Sequence, residues 1–92
     1  GSFFSKNLGF KVANNHLTYN RVNIIVSAKV SKNAVIRNKT KRQIREIIRT
    51  EMQRLVTGKD LIIIALPPIV NLTVQEIKLE IQKALQKLKL YQ

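Results

Sequence analysis

The chain has 92 residues, with 17 Lys and Arg against 5 Asp and Glu, a formal net charge of +12 and no Cys. This length suits a single domain, and the lack of Cys excludes disulfides and thiolate metal sites. The longest uncharged run, residues 61–75, is broken by two prolines and is shorter than the roughly 20 apolar residues of a membrane span, so we expect no membrane contact. The high net positive charge predicts a polyanionic partner.

Two strands are predicted in the first third of the chain. Leu8–Val12 alternates, with Leu8, Phe10 and Val12 on one face, which is typical of a half-buried strand. Residues 21–30 are rich in β-branched side chains and predict a second strand. Because a short polar loop joins the two, we expect them to form an antiparallel hairpin.

A long helix follows, from about Ala34 to Leu55. Its apolar residues recur at helical spacing and form one stripe suited to a core. Gly58 is expected to end the helix. The stripe consists of Ile44, Ile47, Ile48, Met52 and Leu55.

The residues after Gly58 predict one more strand and one more helix. Leu61–Leu66 is short and continuously apolar, as central strands are, and Pro67 ends it because proline cannot donate to the ladder. Thr73 and Glu76 have capping-box spacing at the start of a helix with a stripe of Val74, Ile77, Ile81, Leu85 and Leu88. The order β-β-α-β-α predicts an α+β fold, a small sheet with both helices packed on one face.

Positive charge is concentrated on the first helix. Residues 29–54 hold nine of the seventeen basic side chains. Like charges four residues apart cost about 0.2–0.5 kcal/mol per pair, and phosphate, which pairs with the fork of an arginine, would offset that cost. The alternative is a solvated face neutralised by counterions. The ridge formed by this spacing is Arg37, Lys41, Arg45 and Arg49, with Asn38 and Arg42 beside it.

No residues predict catalysis or metal binding by the protein itself. The five acids are scattered, and Glu46 and Glu80 lie among cations with which we expect them to pair. His16 is the only histidine and lies in a predicted loop, where a solvated role is the usual one.

Phe3 and Phe4 are adjacent and cannot both be core on one strand, so one of them is expected to face a ligand.

The segment "NAVIRNKTKRQIR", residues 33–45, resembles the signature of the bacterial ribonuclease P protein subunit, in which Asn-Ala-Val and an Arg-Asn-Arg core precede further basic residues. The similarity extends to "RVNIIVSAKV" before it, to "KDLIIIA" after it, and to the last helix. It covers the chain from about Ser5 to Tyr91. The signature is specific in this position, between two strands.

The resemblance implies a non-catalytic subunit of a ribozyme that removes the 5′ leader from precursor tRNA in the cytoplasm. The RNA subunit would hold the catalytic Mg²⁺, the partners would be that RNA and precursor tRNA, and no small-molecule substrate is expected. Lys11 and Ile25 would face a cleft for the leader. With the charge cluster, the predicted RNA-binding set is Lys29, Lys32, Asn33, Arg37, Asn38, Lys39, Lys41, Arg42, Arg45 and Arg49.

The same resemblance implies a ribosomal protein domain 2-like topology. Its strand–helix–strand connection is left-handed, against the right hand that general chirality favours. Residues 1–92 would form one RNA-binding domain that lacks the family's amino-terminal helix, which would weaken leader binding. Lys39 stands where the family prefers Arg, and Leu66 stands where a basic residue is frequent.

Three other interpretations compete with this one. A generic RNA-binding or ribosomal-type protein of the same fold class would show the same charge pattern. A membrane-active amphipathic helix is disfavoured because Ile44, Ile47 and Ile48 are needed for a core. A helix-turn-helix DNA-binding protein is disfavoured because strands flank the basic helix on both sides.

Overall fold

The computed structural model describes every residue, Gly1–Gln92. Two short 3-10 helices, Met52–Arg54 and Pro67–Asn71, follow the first long helix and the last strand. The α+β class is confirmed, and the structure adds one strand at the start of the predicted order. The elements are β1 (Ser2–Phe4), β2 (Leu8–Asn14), β3 (Arg21–Ile25), α1 (Ala34–Glu51), β4 (Lys59–Ala65) and α2 (Val74–Lys87).

The four strands form one sheet in the order β1-β2-β4-β3. β2 is antiparallel to both β1 and β4, whereas β3 runs parallel to β4. The predicted hairpin is therefore wrong, because β4 lies between β2 and β3. No residue of β4 is fully exposed, and a strand this apolar is best buried between two neighbours. The left hand of the β3–α1–β4 connection stays a prediction from the resemblance.

Alternation along the strands separates a covered face of the sheet from an open one. On the covered face, Phe10 and Ile63 are fully buried, as is Ile44 of α1. Both helices pack on this face, as predicted, and one cluster of 17 buried hydrophobic residues joins them to the sheet. On the open face, Lys11, Asn23 and Ile25 are exposed.

The helix ends follow local hydrogen bonding. The Asn33 side chain caps α1 by accepting from the backbone N–H of Val35 at 2.9 Å. α1 ends at Glu51, four residues earlier than predicted, because the chain tightens there into a 3-10 turn. Gly58, at φ +82°, lies between that turn and β4, where its positive φ suits the change of direction.

The predicted capping box of α2 is confirmed. The Glu76 N–H donates to Thr73 Oγ1 at 3.1 Å, and the Thr73 N–H donates to Glu76 Oε1 at 2.8 Å. Val74, at the first position of α2, is 48% exposed, although the stripe predicted it to be buried. It lies in the first turn, beside Arg42 and Ile47 of α1.

Two carboxylates hold the termini to the body of the protein. Glu51 is buried, and its Oε1 accepts from the Tyr91 hydroxyl at 2.6 Å. Glu80 accepts from Asn7 Nδ2 at 2.6 Å and from Ser5 Oγ at 2.9 Å. The expected pairing of Glu80 with cations is therefore wrong, because two polar side chains of the β1–β2 turn hold its carboxylate and none of the ion pairs includes it.

Candidate RNA interface

The structure brings together three members of the predicted ridge. Lys41, Arg45 and Arg49 lie on the flank of α1 that faces β3, as their spacing of four residues predicted. They line one groove between the helix and that strand, with a volume of about 320 Å³. Three cations along one groove make a surface that attracts phosphate.

Arg37, the first member of the ridge, has a structural role that the sequence did not reveal. Its Nη1 donates to the backbone carbonyl of Ser31 at 2.8 Å, so it ties the β3–α1 loop to the helix. Asn33 likewise serves as the helix cap. RNA contact by these two residues stays a prediction.

Arg49 is paired within its own helix. Its guanidinium forms a two-point ion pair with Glu46, and the Nε–Oε2 distance is 3.1 Å. This hydrogen bond lowers the pKa of Glu46 from its ordinary value. The expected pairing of Glu46 with a cation is confirmed. Both side chains are largely exposed, 69% for Arg49 and 62% for Glu46, so the pair remains accessible to solvent.

Lys41, Arg42 and Arg45 have no acidic partner within the chain. The three ion pairs of the structure join Arg21 to Asp60, Arg49 to Glu46 and Arg54 to Glu51. These three cations lie within five consecutive residues of α1, and Arg37 and Lys39 of the same helix also lack an acidic partner. The helix therefore carries a positive charge that no acidic side chain of the protein compensates.

The other predicted RNA-binding residues are more dispersed. Asn38 and Arg42 are exposed on α1 away from the sheet, and Lys29 and Lys32 are exposed in the β3–α1 loop. Lys39 lies on the opposite flank of α1 from Lys41. It lines a second groove with Ile36, Thr40, Gln43, Ile69, Val70 and Leu72.

The open face of the sheet carries the two residues assigned to the leader cleft. Lys11 on β2 lies opposite Ser2 on β1 and Ile62 on β4, and Ile25 on β3 lies beside Ile64. Lys11 is exposed and Ile25 is 40% exposed. Both positions agree with the predicted alternation, and they place a cation and apolar side chains on one accessible surface.

Phe4 also lies on this face, and Phe3 does not. Phe4 is 55% exposed, whereas Phe3 packs against the core. The Phe4 ring lies over Gly9, where an added Cβ would come within 2.4 Å of it. A glycine within a strand often marks such a close approach, and this signal could have identified Phe4 as the outward-facing aromatic residue.

Two further observations concern metal binding and membrane-spanning helices. No group of three or more His, Cys, Asp or Glu side chains lies close enough to hold a metal ion. Neither helix is both long enough and apolar enough to cross a lipid bilayer.

Comparison with known proteins agrees with the fold and the signature. The model of the family Ribonuclease P matches residues 1–89. A ribonuclease P protein component from Alkaliphilus metalliredigens is 35% identical over 89 residues, covering 97% of this chain and 79% of that protein. Another, from Cyanothece sp., is 40% identical over 67 residues, covering 73% of this chain and 51% of that protein.

A solved structure shows the same architecture. The RNase P protein of Staphylococcus aureus superposes with a TM-score of 0.89 at 31% identity, over 100% of this chain and 84% of that one. Several sequence relatives, like that from Cyanothece, are matched over only about half of their length. The chain belongs to the ribonuclease P family, as its signature predicted, and its role is that of a protein subunit of this endoribonuclease.

Proposed function

We propose that this chain binds the RNA subunit of ribonuclease P through the cations of α1, and that the RNA cleaves the 5′ leader from precursor tRNA. The observation that carries the proposal is that Lys41, Arg42 and Arg45, close neighbours on α1, have no acidic partner. Phosphates would neutralise these charges and remove their mutual repulsion.

The Mg²⁺ of the reaction would be held by the RNA. Of the five carboxylates in the chain, three are paired with arginines, namely Glu46, Glu51 and Asp60. Glu80 accepts hydrogen bonds from two neutral side chains, and Glu76 caps α2. They do not cluster into a metal site. The chain would contribute binding and positioning, which lower the Mg²⁺ concentration that the RNA needs.

The open face of the sheet would receive the single-stranded leader of precursor tRNA. Phe4 and Ile25 offer exposed apolar surfaces against which bases can pack, and Lys11 offers charge for a phosphate. Single-stranded nucleic acid is commonly bound by this combination of a cation and a stacking surface. We likewise propose the cytoplasm as the location of the protein, as the resemblance implies.

The salt dependence of binding tests the RNA contact. In a filter-binding titration with a bacterial ribonuclease P RNA, Arg42→Ala with Arg45→Ala should remove about two phosphate contacts. The log–log slope of affinity against salt should become shallower by nearly two units. Both side chains are exposed, so folding should be retained.

A matched control removes the same charge elsewhere. Lys83→Ala with Lys87→Ala takes two exposed cations from α2, and the slope should stay close to that of the unmodified protein. An unchanged slope for the α1 variant, or an equal change for both variants, would contradict the assignment.

A further inference from the structure

The groove between β3 and α1 combines features that simple phosphate binding does not require. We call it the edge groove. Its floor is apolar, and its rim carries Lys41, Arg45 and Arg49. It is lined by Val22, Asn23, Ile24, Lys41, Arg45, Ile48, Arg49 and Met52. A phosphate backbone alone needs the cations of the rim and gains nothing from the floor.

The floor suits the flat, apolar face of a nucleobase. Val22 and Met52 are half-buried there, and Ile24 and Ile48 close it from below. Aliphatic side chains and a methionine thioether pack well against an aromatic ring, and the sulfur adds a favourable contact. The volume of about 320 Å³ is near the lower end of the roughly 300–1,000 Å³ range of small-ligand sites, which suits one nucleotide.

The strand beside the groove can supply polar contacts. β3 is the last strand of the sheet and pairs only with β4. An edge strand leaves a row of backbone N–H and C=O groups without partners in the sheet. Together with the exposed amide of Asn23, these groups can donate to and accept from the edge of a base.

We propose that the edge groove binds one unpaired nucleotide of the RNA subunit, with its base on the apolar floor and its flanking phosphates on Lys41 and Arg45. Arg49, held by Glu46, also lines the groove. Unpaired, splayed-out nucleotides are the part of a folded RNA that proteins read most readily. The proposal rests on the RNA contact of α1 proposed above, and it adds a base site to a charge contact.

Two RNA hairpins of equal length provide the probe, one with a single-nucleotide bulge and one fully paired. At equal salt, the unmodified protein should bind the bulged hairpin about tenfold more tightly, as expected for one stacked base. Val22→Phe fills the groove and should abolish this preference, while the salt slope remains unchanged. Val70→Phe, in the second groove beside α1, is the matched control and should retain the preference.

The outcomes separate this proposal from the general RNA contact. A shallower salt slope for the Arg42→Ala and Arg45→Ala variant would support the RNA contact. If the unmodified protein nevertheless bound both hairpins equally, the RNA contact would be retained and the base site overturned. Equal losses for both hairpins in Val22→Phe would also overturn it, as would preferential binding of a poly-glutamate peptide over either hairpin. If Val22→Phe does not fold, Met52→Phe fills the groove from the helix side, and a retained preference there overturns the proposal.

Discussion

Asp60, at the start of β4, is held by Arg21 and by Asn15. Its carboxylate accepts from Arg21 Nε and Nη2 at 2.8 and 2.7 Å, and from Asn15 Nδ2 at 3.0 Å. These contacts, chiefly the hydrogen bonds of Arg21, lower the pKa of Asp60 from 3.8 to about 2. They link the β3 and β4 strands to the turn that follows β2.

The sign of the resulting pH dependence follows from the direction of this shift. Because folding depresses the pKa, the contribution of ionised Asp60 is present above pH 3.8 and is lost as the pH falls to about 2. We expect Asp60→Asn to be less sensitive to acid than the unmodified protein across that interval. Urea unfolding at several pH values measures the free energy of unfolding of both proteins. If it falls equally in the two proteins as the pH is lowered from 3.8 to about 2, the assignment is contradicted.

Tyr91 ties the C-terminus to α1 through Glu51. Burial, with the hydrogen bond to Glu51 second, raises the pKa of Tyr91 to about 12. Tyr91→Phe leaves the buried carboxylate with the longer contacts to Gln82 and Arg54, at 3.4 and 3.7 Å. We expect a loss of about 1–3 kcal/mol in the free energy of unfolding, measured by urea denaturation at neutral pH.

Tyr19→Phe is the control for this prediction. Tyr19 is 57% exposed, so removing its hydroxyl should change the free energy of unfolding by no more than about 0.5 kcal/mol. Equal stability of the Tyr91 variant and the unmodified protein would show that the Tyr91–Glu51 contact does not hold the terminus.

At the scale of elements, the open face of the sheet carries the proposed leader contact. Lys11 projects from β2 on the side away from both helices. In a holoenzyme, Lys11→Glu should weaken binding of leader-bearing precursor tRNA by several-fold, because a phosphate contact becomes a repulsion. Binding of mature tRNA, and of the RNA subunit, should change little.

Equilibrium binding of the two tRNA forms measures this difference. Lys83→Glu, on the exposed side of α2, gives the same charge change away from the sheet and should affect neither form selectively. Equal losses for precursor and mature tRNA in the Lys11 variant would remove Lys11 from the leader contact.

The sequence predicted the elements better than their pairing. Hydrophobic periodicity identifies which residues face the core, so Phe10, Ile44 and Ile81 were all placed correctly. Periodicity carries no information about which strands are neighbours, and the hairpin expectation failed for that reason. β1 was missed because three residues, Ser2–Phe4, are too few to show a repeat.

The candidate site was predicted in position but not in its internal contacts. A spacing of four residues suffices to place Lys41 and Arg45 on one flank of a helix. The hydrogen bond from Arg37 to the Ser31 carbonyl depends on the path of the β3–α1 loop, which helical spacing does not predict. The partners of Glu80 lie more than 70 positions away in sequence, and no local pattern encodes them.

At the scale of the whole molecule, the layer arrangement separates the two proposed contacts. The helices cover one face of the sheet, with Lys41 and Arg45 of α1 beside its β3 edge, and the other face remains open for a single strand. The chain measures 36 × 21 × 21 Å, so both contacts lie within one small domain. This arrangement would let the chain make both proposed contacts at the same time.

Reconstituted cleavage tests this account most directly. A bacterial ribonuclease P RNA and precursor tRNA are combined at a Mg²⁺ concentration that limits the RNA alone, with the unmodified chain, the Arg42→Ala and Arg45→Ala variant, or the Lys83→Ala and Lys87→Ala control. We expect the unmodified chain and the control to accelerate release of the 5′ leader, the α1 variant to do so only weakly, and the protein without RNA to leave the precursor intact. Leader cleavage by the protein alone, or full acceleration by the α1 variant, would contradict the account.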